Sequence, residues 1–187
     1  MRISLFERVG FMAKKFSDRY DSRKWRLMGL LKTLALLAAV LLLVFHFVLG
    51  FSRVDGNSMC NTLMDGDYVL YTRIIPSLRR GDIVSLSLPS GEYYVKRVVA
   101  VAGDEVDIRD GKLYINGVEE KAGYVLGETL MENVAVSYPC LVEEGHVFVL
   151  GDNRPESVDS RYFGPVSEKQ VTGVMKLRMG LFYLNGL

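Results

Sequence analysis

The apolar positions of this chain fall into two regimes. "LALLAAVLLLVFHFVLGF", Leu34 to Phe51, is an unbroken run of 18 uncharged residues, and Leu27–Leu31 extend it upstream of Lys32. A helix needs about that length to cross a bilayer. From residue 52 onward the apolar runs are short, and several alternate with polar residues, as half-buried strands do. "DYVLYTR" (67–73), "DIVSLSL" (82–88), "EYYVKRVVAV" (92–101), "HVFVL" (146–150) and "VTGVMKLRM" (171–179) read as strands. "DEVDIRDGKLYINGV" (104–118) reads as a hairpin turning at Asp110-Gly111, a pair suited to the positive φ of a tight turn. No strongly amphipathic helix stands out. The pattern predicts a mainly β, antiparallel domain behind one N-terminal transmembrane helix, with boundaries 1–28 (basic segment), 29–51 (helix) and 52–187 (β domain).

Charge sharpens this picture. The net charge of +1 hides an asymmetry, because residues 1–51 carry nine Lys or Arg against three acids and the remainder carries fourteen against nineteen. A basic tract abutting an apolar run is the pattern of membrane topology rather than of nucleic-acid binding. The positive-inside rule predicts a cytoplasmic N-terminus and an extracytoplasmic β domain. A cleaved secretory signal is the competing reading, but its apolar core is shorter, about 7–15 residues, and ends in a small-x-small site. The apolar tail "MGLFYLNGL" is too short to span a membrane, and either packs on the domain or touches lipid headgroups.

Candidate chemistry is sparse. There are two histidines, His46 in the apolar run and His146 at the start of a strand, and neither sits in a triad context. No metal-ligand spacing is present, and Cys60 and Cys140, eighty residues apart, could pair, though spacing alone does not show it. Three stretches remain. "VDGNSMCNTLMDGD" (54–67) holds Ser58 in a turn-rich setting; a serine needs a base to attack anything at neutral pH. In the 92–101 strand, Lys96 shares a face with Tyr94, Val98 and Ala100. It is either a snorkelling side chain or a buried amine whose pKa falls far enough to make it a base. Ser-Lys dyads need no histidine. "GDNRPESVDSRYFGPV" (151–166) is dense in groups able to orient such a base, though an ordinary surface loop held by local turns would look similar.

Taken together these pieces resemble type I signal peptidases. "VDGNSMCNTL" is similar to the family's nucleophile box, "GDYVLYTR" to the strand after it, "YYVKRVVAVAGDEV" to the lysine box and "GDNRPESVDSRYFGPV" to the closing box, all in the family's order over roughly residues 30–180. The resemblance implies a two-sheet β protease that cuts signal peptides from preproteins at the membrane, after small residues, without metal or other cofactor and without nucleic acid. It implies Ser58 as nucleophile and Lys96 as general base, with Ser157 orienting the amine. It also implies an Asp159–Arg161 pair supporting that hydroxyl, an Asp152–Arg97 pair bracing the lysine strand, Met59 in the wall of the site, and an oxyanion hole that includes the Ser58 N–H. Where some relatives add a serine hydroxyl to that hole, this chain has Gly56.

Two departures stand out. Asn61 occupies a position where the family usually has proline, and Ala100 and Ala102 stand in a "AVAGD" segment that usually carries glycine and proline. Two other readings share some of these features. One is a self-cleaving Ser-Lys protease of the SOS-repressor type, which would lack the anchor. The other is a non-catalytic or specialised relative serving pilin or other surface-protein assembly, the non-catalytic form being expected to lose the serine or the lysine.

Overall fold

The structure is a computed structural model that describes residues 5–75, 77–132, 136–180 and 183–186, and the side chains of residue 12 and of residues 23–179 within those ranges. The chain divides into two compact units, Met1–His46 and Phe47–Leu187. The first is one helix, α1 (Leu5–Phe47), continuing to Phe47. Its Arg23–Phe47 portion is long and apolar enough to cross a membrane, and none of it is buried inside the protein.

The helix departs from the predicted 29–51 boundaries at both ends. Upstream, the basic segment is helical from Leu5 on, because its Lys, Arg and Met residues favour helix propagation. Downstream, Leu49–Arg53 leaves the helix and forms strand β1, pairing in register with β2 (Tyr68–Thr72). Apolarity alone does not distinguish a helix from a buried strand, so the last residues of the apolar run look the same in sequence whichever they form.

The second unit is built from β1, β2, β3 (Ile83–Ser87), β4 (Tyr93–Val101), β5 (Glu105–Arg109), β6 (Lys112–Ile115), β7 (Val118–Glu119), β8 (Cys140–Leu141), β9 (His146–Leu150), a four-residue helix α2 (Ser160–Phe163), β10 (Val166–Ser167), β11 (Val171–Gly180) and β12 (Tyr183–Gly186). They form two antiparallel sheets. The larger runs β1-β2-β11-β3-β4-β9-β10 with β12 on the second half of β11, and the smaller runs β7-β6-β5-β8. The predicted strands and the 104–118 hairpin are all present. At the hairpin tip Asp110 and Gly111 both have positive φ (49° and 73°), as a two-residue turn of this hand requires. β12 places the backbone of the tail beside β11; the side-chain contacts of that tail lie outside the described residues.

The lysine strand is locked by packing on both faces. β9 alternates Val147 and Val149 into one apolar cluster and Phe148 and Leu150 into another. β4 follows it until a bulge between Val98 and Ala100 breaks the register, and with it the alternation: Val98 joins the first cluster, Val99 and Ala100 the second. A third cluster of Val54, Met59, Leu63, Val69, Ile83 and Met175 sits under the Ser58 turn. Among the described residues, two unfilled strand edges lie beside the Ser58 turn and Lys96. β1 ends the larger sheet, and β9 partners β4 only from Arg97 onward, so Tyr93–Lys96 pairs only with β3.

Candidate active site

Ser58 lies on a chain of tight turns between β1 and β2. Cys60 N–H donates to Asn57 O, and Thr62 and Leu63 N–H both donate to Met59 O. Met59 is buried in the cluster below and anchors the turn. From the other side, Asn153 N–H donates to the Ser58 carbonyl at 3.0 Å, and the Asn153 side chain donates to Asn57 O at 3.1 Å. The turn is therefore held from three directions, leaving Ser58 Oγ at the cleft.

Lys96 reaches it from β4. Nζ lies 2.7 Å from Ser58 Oγ, and the residue is only 1% exposed, so the snorkelling reading does not apply. Nζ also lies 5.2 Å from the Tyr94 ring centroid, on the face where strand alternation puts Tyr94. Burial pulls the amine down from an ordinary 10.5 to about 8. Asp159 pushes it up, Arg161 down and Asp152 up, each less than burial.

The two predicted ion pairs are present. Arg97 donates from Nε and Nη2 to the two Asp152 oxygens at 2.8 and 2.7 Å. Arg161 donates from Nε and Nη2 to both Asp159 oxygens at 2.8 and 3.0 Å, with neither side chain exposed. Asp159 also accepts the Gly151 N–H at 3.0 Å and caps α2 through the Arg161 N–H. Arg161 donates further to the carbonyls of Arg154 and Ser157. The 151–166 segment is thus a folded polar core around one guanidinium, rather than a loose surface loop.

One expectation is corrected. The hydroxyl of Ser157 is buried but has no hydrogen-bond partner among the described residues; it is packed against Gly151, beside the Ser58 carbonyl, and does not orient the amine in this arrangement. Gly56 lines the cleft, but its N–H is already donated to Asp65 Oδ1 at 3.0 Å, so it supplies no free donor there. Cys60 and Cys140 are both free thiols.

Sequence reasoning missed several supports. Thr62 donates its hydroxyl to Asp152 and accepts from Arg97, joining the Ser58 turn to the lysine strand. Arg97 also stacks on Tyr124, 3.9 Å from the ring centroid. Arg154, 1% exposed, donates to Gly151 O, Thr129 Oγ1 and Glu120 Oε2 and so ties the smaller sheet's connection to the closing loop. Two arginines seven residues apart in one polar loop, Arg154 and Arg161, are the only sequence signal for this. Ala100 is fully buried in the second cluster just past the bulge, whereas Ala102 is exposed.

Asn61 explains its own departure. Its φ is +76°, in the left-handed region that asparagine tolerates and proline, held near −65°, does not enter. The turn carrying Ser58 follows a route that excludes the residue usually found there. Asn61→Pro is expected to destabilise the protein by about 3 kcal/mol or more, read as a lowered urea midpoint, whereas Asn61→Gly stays within about 1 kcal/mol of wild type.

A cleft of about 300 Å³ runs from Ser58 and Lys96 along β1 and β4, with Val54, Val69, Tyr71, Ser85, Val95 and Met175 among its walls. Its two long sides carry the unfilled edges of β1 and of Tyr93–Lys96. A serine hydroxyl bonded to a buried amine, with two strand edges flanking a cleft, suits hydrolysis of a peptide bound in extended form.

Comparisons with known proteins agree. The family described as "Signal peptidase, peptidase S26" matches residues 12–180. The chain is similar to Signal peptidase I of Bacillus licheniformis, 35% identical over 168 residues, covering 83% of this chain and 90% of that one. It is similar to Signal peptidase I T of Bacillus subtilis at 34%, covering 78% and 81%. Signal peptidase IB of Staphylococcus aureus is 31% identical, covering 80% and 87%. A crystal structure of a signal peptidase I from Enterococcus faecalis is 38% identical and covers 54% of this chain and 97% of its own, with a TM-score of 0.45.

Proposed function

The chain belongs to the signal peptidase family, and on that premise we propose that Ser58 is its nucleophile and Lys96 its general base. The enzyme is a serine endopeptidase that removes signal peptides from preproteins. The observation that carries the assignment is the 2.7 Å approach of a buried amine to Ser58 Oγ. Both members of the dyad are in place, which disfavours a non-catalytic assembly factor, and the family match disfavours a self-cleaving repressor.

In this reading neutral Lys96 takes the proton from Ser58 as Oγ attacks the carbonyl ahead of the scissile bond. The oxyanion is met by the Ser58 N–H; the engaged Gly56 N–H does not contribute. The ammonium protonates the leaving amine, and the same lysine then deprotonates the water that hydrolyses the acyl-enzyme. Asp152–Arg97 and Asp159–Arg161 act as positioning pairs. The preprotein lies along the edges of β1 and β4, residues one and three before the bond facing the cleft. The helix Arg23–Phe47 anchors the enzyme in the membrane, with the basic segment cytoplasmic by the positive-inside rule and the β unit extracytoplasmic.

The test is a pH–rate profile on a preprotein with an Ala-x-Ala site. Because the reactive form is neutral and the amine titrates near 8, about one molecule in ten is competent at pH 7. The rate is expected to rise through pH 7 and level off above about 8. A profile flat from pH 5 to 9, or full activity in Ser58→Ala, overturns the dyad.

A further inference from the structure

One aromatic ring in the cleft is seated with unusual care. Across the floor of the cleft, Val95 of β4 pairs with Ser85 of β3, and Ser85 pairs with Gly173 of β11. The next strand, β2, contributes Tyr71, opposite Met175. Because Gly173 has no side chain, the Tyr71 ring lies across it: a Cβ on Gly173 would stand 2.4 Å from Tyr71 Cδ2. On the other flank, Gly50 of β1 pairs with Tyr71, and a Cβ there would stand 2.1 Å from Cζ. Neither contact is possible for a real side chain, so two glycines leave the room that one ring fills. Gly50 has no positive φ to account for it, nor has Gly173. Arg73, 5.3 Å from the ring centroid, is a further neighbour.

We propose that Tyr71 sets the depth of the subsite that receives the substrate residue three before the scissile bond. The inference rests on the Ser58–Lys96 reading, which fixes where that bond lies. Running back from Ser58, the inward-facing residues are Val54, just past β1, and then Ser52 and Gly50 of β1, each step of two covering about 7 Å. The substrate residue next to the bond falls nearest Val54. The residue two further back, facing the same way, falls over Ser52, Val69 and Ser85, and the Tyr71 ring closes that space from the far side. Ser52 and Ser85 are small, so without the ring the subsite would be deep enough for a branched or aromatic side chain. With it, a small side chain fits and a larger one meets the ring. The selectivity for size at this position then belongs to one removable group.

The experiment uses the full chain in detergent with a peptide series carrying Ala, Leu or Phe three residues before the bond, and the same series two residues before it. A hydrophobic pocket discriminates by roughly 10–200-fold per methylene-sized difference, so the Leu-to-Ala ratio of kcat/KM is expected to rise at least about tenfold in Tyr71→Ala. Tyr71→Leu, which keeps apolar bulk for folding, is expected to raise the Leu ratio less and the Phe ratio little. At the second position, which points out of the cleft, the ratios are expected to stay as in wild type. An unchanged ratio at the third position in either folded variant overturns the proposal. So does an equal rise at both positions, which would mean general loosening. If Ser58→Ala is inactive while the Tyr71 variants keep the wild-type ratio, the Tyr71 assignment alone falls; if Ser58→Ala cleaves fully, the dyad falls and takes the subsite placement with it.

Discussion

Lys96→Met is expected to abolish preprotein cleavage and, at the same time, to make the protein harder to unfold at neutral pH. The first effect follows from the proposed Ser58–Lys96 dyad. Members of a catalytic unit in serine proteases are worth about 10⁴–10⁶ in kcat when removed, and no histidine stands ready to replace this base. The second follows from burial. The folded amine titrates near 8 against an ordinary 10.5. Its folded value lies below its unfolded one, so between those two pH values the unfolded chain binds more protons. Above about 10.5 both states are neutral and the residue costs nothing by this route. As pH falls through 8 the full cost develops, about 3 kcal/mol for a shift of this size. Methionine fills a similar shape without charge but forfeits the Ser58 hydrogen bond, so a net gain of about 1–2 kcal/mol is expected at pH 7. Urea unfolding at pH 7 and pH 10 checks it: the gain should shrink towards the higher pH. A methionine variant that is inactive and less stable at both would mean the amine is stabilised by its site, contrary to its displaced titration.

Breaking the Asp159–Arg161 pair is expected to have the largest effect on stability. Both side chains are fully buried. Removing one partner strands the other, and losses of about 3–5 kcal/mol are usual, a large share of the 5–15 kcal/mol that typically holds a domain together. Asp159→Ala leaves the guanidinium with the carbonyls of Arg154 and Ser157 and the more distant Glu132 carboxylate. It also frees the Gly151 N–H, next to the segment whose Asn153 holds the Ser58 carbonyl. Denaturant unfolding reads the stability. A second readout is specific to the site: Asp159 pushes the lysine up and Arg161 pushes it down, so the surviving activity should show its acidic limb shifted to lower pH. Replacing both residues with neutral polar ones should cost less than the two single changes summed.

Much of this was legible from sequence because the relevant signals are periodic or local. Alternation located β2, β3 and β4, and Asp110-Gly111 marked the hairpin tip. Lys96 drew notice as a charge on an apolar strand face. What escaped had no such signature. β1 lay hidden at the end of an apolar run, where strand and helix look alike. Thr62, Tyr124, Arg154 and Glu120 meet the site across large sequence separations, through contacts that only the packing of the two sheets creates. The left-handed conformation of Asn61 could be suspected from residue type, but a family pattern with proline there pointed the other way. Ser157 was expected to bond the amine from its position in a motif; a motif fixes neighbourhood, not the rotation of one hydroxyl.

The unfilled edges of β1 and Tyr93–Lys96 bear on what happens after the bond is cut. A row of unsatisfied N–H and C=O groups binds any extended chain, because main-chain pairing is blind to most side chains. A severed segment keeps the same backbone that paired with these edges before the cut. Turnover would then be governed by how readily the spent peptide departs. The hydrophobic stretch of a signal peptide, by drawing the product away into lipid, would be an aid to release as much as to recognition.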